Sequence, residues 1–403
     1  MKIKIGVFFG GQSVEHEVSI ISGIQAVHAF NREKYDIIPV YITKENEMYI
    51  GNSISDIKAY RNIPSLLRKS QRIVLVNEEG RVGLVKYPMK KFGNNTYDWI
   101  DVAFPIVHGT NVEDGTLQGC LRMLCIPYIG PDVTSSAIGM DKYVMKTVLK
   151  DNQIPVLDCC VFDTKKYEKD TAGVIKQIEE RFQYPVIVKP INLGSSVGIK
   201  IARDSESLQE AMDHAFEFAM KVLVEKAVTN LKEINCSVLG DYESAEASEC
   251  EEPVNSDEIL SYEDKYMSGG GKTGGSKDGG SKSSGMSSLT RKLPADILPE
   301  VREKIRKLAV DTFQVLNCNG VARIDFMMDT VTQEIWVNEI NTIPGSLAFY
   351  LWEPLGVSYE ELLDRMIQLA LKRDRELNNI SYSFETNLLA GVKLGGTKGG
   401  KKV

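Results

Sequence analysis

Arg323-Ile-Asp325, followed by Glu339-Ile-Asn341 and Pro344-Gly345, constrains this chain more than any other stretch. Both tripeptides sit in apolar, β-branched surroundings, VARIDFMM and EIWVNEIN, and read as strands; the polar run 329–333 between them reads as the connecting turn. Alternate residues of a strand share a face, so Arg323 falls beside Asp325 and Glu339 beside Asn341. Pairing the two strands brings a guanidinium, two carboxylates and an amide to one place. Two carboxylates and a carboxamide oxygen are hard ligands suited to Mg²⁺ bound alongside phosphates. An adjacent arginine suits the charge that develops on a transferred phosphoryl group. A surface ladder of salt bridges has the same pattern, and these residues alone do not separate the two readings.

The 403 residues leave room for two or three domains and a sizeable core. A net charge of −7 argues against nucleic acid or an anionic membrane as the main partner, and no run approaches the roughly 18–20 apolar residues that span a bilayer. The opening MKIKIGVFF reads as a buried strand rather than a signal peptide. The seven cysteines are scattered, without C-x-x-C spacing, and the four histidines do not cluster with them, which fits reduced thiols and a cytoplasmic location.

Strands are expected at 2–9, 37–42 and 102–107, with helices at 18–30 and 116–124; residues 44–97 carry no clear pattern. This alternation suggests a small α/β domain with a mostly parallel sheet, its ligand edge marked by Gly10-Gly11 and His108-Gly109. Beyond it come a helix at 141–152, a strand at 156–162, a helix at 172–182, strands at 185–189 and 199–202, and a helix at 207–220. Segments 222–225, 233–239 and 245–249 read as strands of one antiparallel sheet, and 299–316 and 359–372 as amphipathic helices. Residues 268–288 are a Gly/Ser/Lys stretch without apolar periodicity, a flexible tether or lid. Its Gly271-Lys272-Thr273 is not a phosphate loop, because Tyr266 stands where the first glycine belongs. The tail 395–403 has the same composition and reads as a solvated end.

Lys189 precedes the small-residue run Gly194-Ser195-Ser196-Val-Gly198, whose backbone N–H groups can fold over phosphates. Alone this is an ordinary hairpin, and Glu225-Lys226 followed by Glu233 is alone only an amphipathic strand. The order of these segments is more specific. A lysine in a helix, a lysine before a Gly-Ser loop, a Glu-Lys strand end and then R-x-D…E-x-N resembles the ATP-grasp enzymes. Gly10-Gly11-Gln-Ser13-Val-Glu15-His16, His108-Gly109…Glu113-Asp114-Gly115, Met140-Asp141-Lys142, Asp264-Lys265-Tyr266 and Pro344-Gly345 narrow the resemblance to the D-alanine–D-alanine ligase family, over about residues 1–372.

The resemblance implies an N-terminal α/β (pre-ATP-grasp) substrate domain at 1–130 and a two-part ATP-grasp fold. Its central part covers 131–220 and its catalytic part 221–372, with the flexible lid at 268–288; an extension and tail follow at 373–403. It implies ATP-dependent joining of two D-alanines through an acylphosphate, for peptidoglycan precursors, by a cytoplasmic homodimer acting on small-molecule amino acids. Lys142, Lys189, Ser195, Ser196 and Lys265 would serve ATP, Glu225 and Lys226 would border adenine, and Glu233 would accept ribose hydroxyls. Asp325, Glu339 and Asn341 would hold Mg²⁺ (or Mn²⁺). Arg323 would stabilise the transferring phosphoryl, Gly345 would donate to the oxyanion, Glu15 would pair with the first ammonium and His108 would lie near it. Ser195 and Tyr266 would link Glu15 to the lid, which shields the acylphosphate from water. Two features depart from the family pattern. Tyr350, followed by Leu351, stands where a serine normally receives the second carboxylate, and the lid is replaced by the Gly/Ser/Lys run. A ligase with another acceptor, amino acid or hydroxy acid, and a nucleotide-binding regulator without turnover therefore stay open; Lys265-Tyr266 favours an amine acceptor.

Overall fold

The computed structural model describes residues 2–253, 291–383 and 387. Lys265, Tyr266, the expected lid, Gly271-Lys272-Thr273 and the Gly/Lys tail lie outside the described residues.

The N-terminal sheet contains β1 (Ile3–Gly10), β2 (Tyr35–Ile42), β3 (Met48–Ile50), β4 (Gln71–Glu78), β5 (Arg81–Lys86), β6 (Thr96–Ile100) and β7 (Val102–Pro105). Their order is β6-β5-β4-β3-β2-β1-β7. Only β1 with β2 and β1 with β7 are parallel; β2 through β6 form an antiparallel meander. The expectation of a mostly parallel sheet is therefore corrected. Residues 48–100 supply four strands, each antiparallel to its neighbour; the helix between β3 and β4 is no crossover, and short connections such as Glu79-Gly80 allow only antiparallel pairing. Helix α1 (His16–Ala29) is the crossover between β1 and β2. Because β1 and β7 run side by side, Gly10-Gly11 and His108-Gly109 emerge at the same carboxyl edge.

After the short α2 (Ile63–Arg68) of that meander, α3 (Thr116–Met123), α4 (Val133–Met140) and α5 (Lys142–Asp151) lead to a four-stranded sheet of β8 (Cys159–Asp163), β9 (Val186–Pro190), β10 (Lys200–Ala202) and β11 (Lys221–Lys226). Helices α6 (Thr164–Lys169), α7 (Thr171–Arg181) and α8 (Ser205–Phe216) accompany these strands. The segment 222–225, expected among the C-terminal strands, is corrected to this sheet: β11 lies between β8 and β9, and its Val222 and Val224 are sealed in the core with Val186, Val188 and Leu208.

The third sheet runs β14-β13-β12-β15-β16, formed by β12 (Leu231–Gly240), β13 (Ala245–Pro253), β14 (Arg291–Lys292), β15 (Gly320–Asp329) and β16 (Ile335–Asn341). Helix α9 (Pro299–Val315) packs on it, burying Ile305, Ala309 and Phe313. Helix α10 (Tyr359–Leu377) and the segment 343–352 bridge this sheet and the N-terminal one: Trp352 Nε1 donates to Ser237 Oγ on β12, and Leu239 and Val321 share their core. Their Leu351, Trp352, Leu362, Met366 and Ile367 belong to the same core as Phe8, Phe9, Ile24 and Phe104 of the N-terminal sheet. All seven cysteines are free thiols, and among the described residues no helix is long and apolar enough to cross a membrane.

Candidate active site

Glu251, Asn235, Asp325 and Glu339 stand opposite one another on β13, β12, β15 and β16, one row across four strands. In the neighbouring row Arg323 lies between Ser237 and Asn341. Arg323 Nε and Nη2 donate to the two oxygens of Asp325, each at 2.7 Å, and Asn341 Nδ2 donates to Asp325 Oδ2 at 3.0 Å. Burial opposes the Arg323 charge, but Asp325 beside it holds the guanidinium well above its ordinary pKa. Burial also pushes Asp325 up; Arg323 opposes this, and Glu339 and Glu251 add to it. A two-pronged N–H···O fork needs a carboxylate, so the pair is ionised. The upward push on Asp325 comes first from burial and only then from Glu339 and Glu251.

Two lysines face this row. Asp141 caps α5 by accepting from the Tyr143 and Val144 N–H groups, which fixes Lys142 at the first turn. Lys142 Nζ donates to Leu193 O at 2.6 Å and lies 3.7 Å from Glu339 Oε2; burial lowers its pKa. Lys189, on β9, donates to Glu225 Oε1 at 2.6 Å and to Asn338 Oδ1 at 3.0 Å. The other Glu225 oxygen is 2.7 Å from Lys146 Nζ, and Glu225 itself is fully buried. Burial raises the Glu225 pKa, but the two ammoniums outweigh it and hold the group below its usual value.

The loop after β9 reaches Glu15, the residue before α1. Ser195 Oγ donates to Glu15 Oε1. Ser195 and Ser196 take φ of 53° and 59°, the left-handed region that non-glycine residues seldom enter. Gly109 takes a φ of 84°, and a Cβ there would lie 2.2 Å from Ser13 Oγ and 2.9 Å from Glu15 Oε2, so glycine lets this loop close on the carboxylate.

His108 is buried with both nitrogens engaged: Nδ1 is 2.8 Å from Ile343 O and Nε2 is 2.9 Å from Ser22 Oγ. A carbonyl only accepts, so Nδ1 carries the proton and Ser22 donates to Nε2. Burial lowers the His108 pKa to about 4. Ser22 Oγ also accepts from Ser346 N at 2.9 Å, and Glu113 accepts from Gly109 N and Ile343 N, each at 2.9 Å. These bonds hold the turn after Gly345, where Ser346, Leu347 and Ala348 have φ of 51°, 54° and 48°. Three successive left-handed residues cost roughly 1–2 kcal/mol each, and the network from the N-terminal domain offsets that strain.

One cavity brings together Glu15, His108, Lys142, Lys189, Ser195, Ser196, Glu233, Arg323, Asp325, Glu339, Asn341, Gly345 and Tyr350. Glu225, Lys226 and Leu351 do not line it: Glu225 is enclosed as the counter-ion of two lysines, Lys226 is exposed at the strand end, and Leu351 is fully buried in the core. Asn235, Glu251, Arg291, Glu113 and Asn338 line the same cavity and were not among the expected residues. Asn338, next to Glu339, and Glu113, within the His108-Gly109…Glu113-Asp114-Gly115 match, stood inside sequence signals without a role assigned; Asn235, Glu251 and Arg291 come from strands far from the R-x-D and E-x-N segments.

Comparison with known proteins matches this chain to the D-ala D-ala ligase N-terminus over residues 4–131 and to the D-ala D-ala ligase C-terminus over residues 148–368. The chain belongs to the D-alanine–D-alanine ligase family. It is thus a member of an ATP-dependent ligase family. The D-alanine–D-alanine ligase of Thermosipho melanesiensis is 37% identical, with 98% of this chain and 99% of that protein aligned. That of Acetivibrio thermocellus is also 37% identical, over 92% of this chain and 96% of the relative. Among solved structures, the ligase from Coxiella burnetii superposes with a TM-score of 0.76 at 29% identity, covering 94% of this chain and 96% of its own. The VanG D-Ala:D-Ser ligase from Enterococcus faecalis gives 0.74 at 29% identity, covering 92% and 100%.

Among the described residues no three His, Cys, Asp or Glu side chains form a ready-made metal cage. The donors present, Asp325, Glu339 and the Asn341 amide, suit a hard divalent cation that shares its shell with phosphate oxygens rather than one held by protein alone.

Proposed function

We propose that this chain joins two D-alanines into D-alanyl-D-alanine at the expense of ATP, through an acylphosphate, for peptidoglycan precursors and so for wall biogenesis and cell shape. The observation that carries the reading is the row Asp325–Glu339 with Arg323 beside it, facing Lys142 and Lys189 across one cavity. Family membership supports it. A pure nucleotide binder has no use for an arginine held in a fork at the phosphoryl-transfer position.

In this reading Lys142 and Lys189 hold ATP phosphates, while Ser195, Ser196 and the 194–198 backbone fold over them. Asp325, Glu339 and Asn341 would hold Mg²⁺ (or Mn²⁺), which when bound screens the phosphate charge. Glu15, fixed by Ser195, pairs with the ammonium of the first D-alanine. A carboxylate oxygen of that D-alanine attacks the γ-phosphorus and ADP leaves. The neutral amine of the second attacks the acyl carbon; the C–O bond to phosphate breaks, and inorganic phosphate departs with the proton that the nitrogen loses. Arg323 stabilises the charge on the transferring phosphoryl and on the tetrahedral centre, and the Gly345 N–H donates to its oxyanion. His108, neutral and doubly bonded, positions the 343–346 backbone rather than moving a proton. A domain division near residue 130 and a cytoplasmic homodimer belong to the same proposal, and the expected boundary at 220/221 shifts past β11, which completes the middle sheet.

Arg323→Ala is expected to lower kcat by about 10²-fold or more while nucleotide still binds, read by steady-state kinetics beside an ATP titration. Full turnover in the variant contradicts the role.

A further inference from the structure

The hydroxyl of Tyr350 does not point its proton at the cavity. It donates to Glu251 Oε1 at 3.0 Å, and Asn235 Nδ2 donates to the same oxygen at 3.1 Å. Burial first, and Glu251 second, push the Tyr350 phenol up to about 12, so it stays protonated and committed to that bond. Tyr350 therefore does not replace a serine as a donor to a substrate carboxylate. A different cation occupies that wall. Arg291, the first residue of β14, stacks its guanidinium on the Tyr350 ring at 3.9 Å from the centroid, and its Nη1 donates to Glu251 Oε2 at 2.9 Å. Glu251 is 3% exposed and lines the cavity together with Arg291, Tyr350, Arg323 and Gly345. It thus fixes an arginine fork and an aromatic plane in one geometry, in the same cavity as the arginine assigned to the reacting centre.

We infer that Arg291, seated on Tyr350 and held by Glu251, receives the carboxylate of the second amino acid and so decides which acceptors this ligase takes. The inference rests on the ligation reading above. A planar guanidinium recognises a carboxylate through parallel N–H···O bonds, which a lone hydroxyl cannot do. The stacked ring blocks one side of the fork, leaving an acceptor whose carboxylate lies in the guanidinium plane. Glu251 is a positioning residue: it touches Tyr350 and Arg291 rather than the reacting atoms.

The test uses the full-length enzyme with ATP, Mg²⁺, D-alanine and D-alaninamide in competition. The amide lacks a carboxylate, so it cannot be activated and serves only as acceptor. Mass spectrometry reads the ratio of dipeptide amide to dipeptide. The wild type is expected to make mostly dipeptide. In Arg291→Gln the ratio should move toward the amide by about ten- to a hundredfold, the loss expected when a charged hydrogen-bond partner is removed, with the KM for ATP unchanged. A merely structural role lowers both products together and leaves the ratio alone, which overturns the inference. Should Arg291→Gln not fold, Glu251→Gln, which keeps Arg291 but removes the charge that holds it, must shift the ratio the same way; an unmoved ratio there overturns it too. A wild type that forms neither product overturns the ligation reading and this inference with it, whereas normal dipeptide synthesis with a ratio indifferent to Arg291 overturns the inference alone.

Discussion

At His108 the imidazole is held neutral by burial, one nitrogen donating to Ile343 O and the other accepting from Ser22. Its folded pKa of about 4 lies below the ordinary 6.5. The unfolded chain therefore takes up a proton first as pH falls, and the stability this group contributes is present above 6.5 and lost on descending toward 4. That difference corresponds to about 3 kcal/mol. His108→Gln should flatten the pH dependence of denaturant unfolding between pH 6.5 and 4; an unchanged slope contradicts a buried neutral ring. Glu113 has the opposite sign. Burial, then the Glu15 charge, raise it to about 8, so the folded state is favoured at low pH and loses that contribution as pH rises from 4.5 through 8. The sequence singled out His108 by its glycine neighbour, but no single-residue signal tells a ring with free nitrogens from one with both engaged. That depends on Ser22 and Ile343, which are distant in the chain.

Among the elements, the β15–β16 hairpin was legible because its polar turn lies within the sequence it joins, and the two-residue period of a strand fixes which side chains share a face. The other half of the row, Asn235 and Glu251, comes from β12 and β13. Only long-range register brings them opposite Asp325, and nothing local encodes that register. The same limit applies to Arg291 on the two-residue β14. It also applies to β11, whose apolar run fits either antiparallel sheet until its partners are known. The turn at 346–348 was illegible for another reason: Ser, Leu and Ala do not favour left-handed backbone, so tertiary bonds impose it. Ser22→Ala removes the acceptor for Ser346 N and the donor to His108. It is expected to cost about 1–3 kcal/mol of stability and to lower kcat more than it raises the KM for ATP, because the turn that carries the Gly345 N–H loses its anchor at Ser346. Wild-type kcat in a less stable protein would show that the turn keeps its geometry without Ser22.

At the scale of the whole molecule, the described residues form three cores that do not follow chain order. The N-terminal sheet is closed by Leu351, Trp352 and helix α10, so the reacting turn hangs from one domain while belonging in sequence to another. A fragment of residues 1–130 alone lacks those side chains. It is expected to expose apolar surface, bind a hydrophobic dye and unfold without a cooperative transition, and a sharp cooperative transition would contradict the shared core. The alternation of strand and helix announced an α/β beginning, whereas the interlocking of beginning and end is a property of packing that periodicity does not carry. The central claim is that the Arg323–Asp325–Glu339 constellation serves amide formation between D-amino acids. Its most direct test is ATP- and Mg²⁺-dependent phosphate release against a panel of D- and L-amino acids and D-hydroxy acids, with each product identified by mass spectrometry. The account predicts phosphate and D-alanyl-D-alanine from D-alanine alone. ATP binding with no phosphate release and no product from any member of the panel would contradict it.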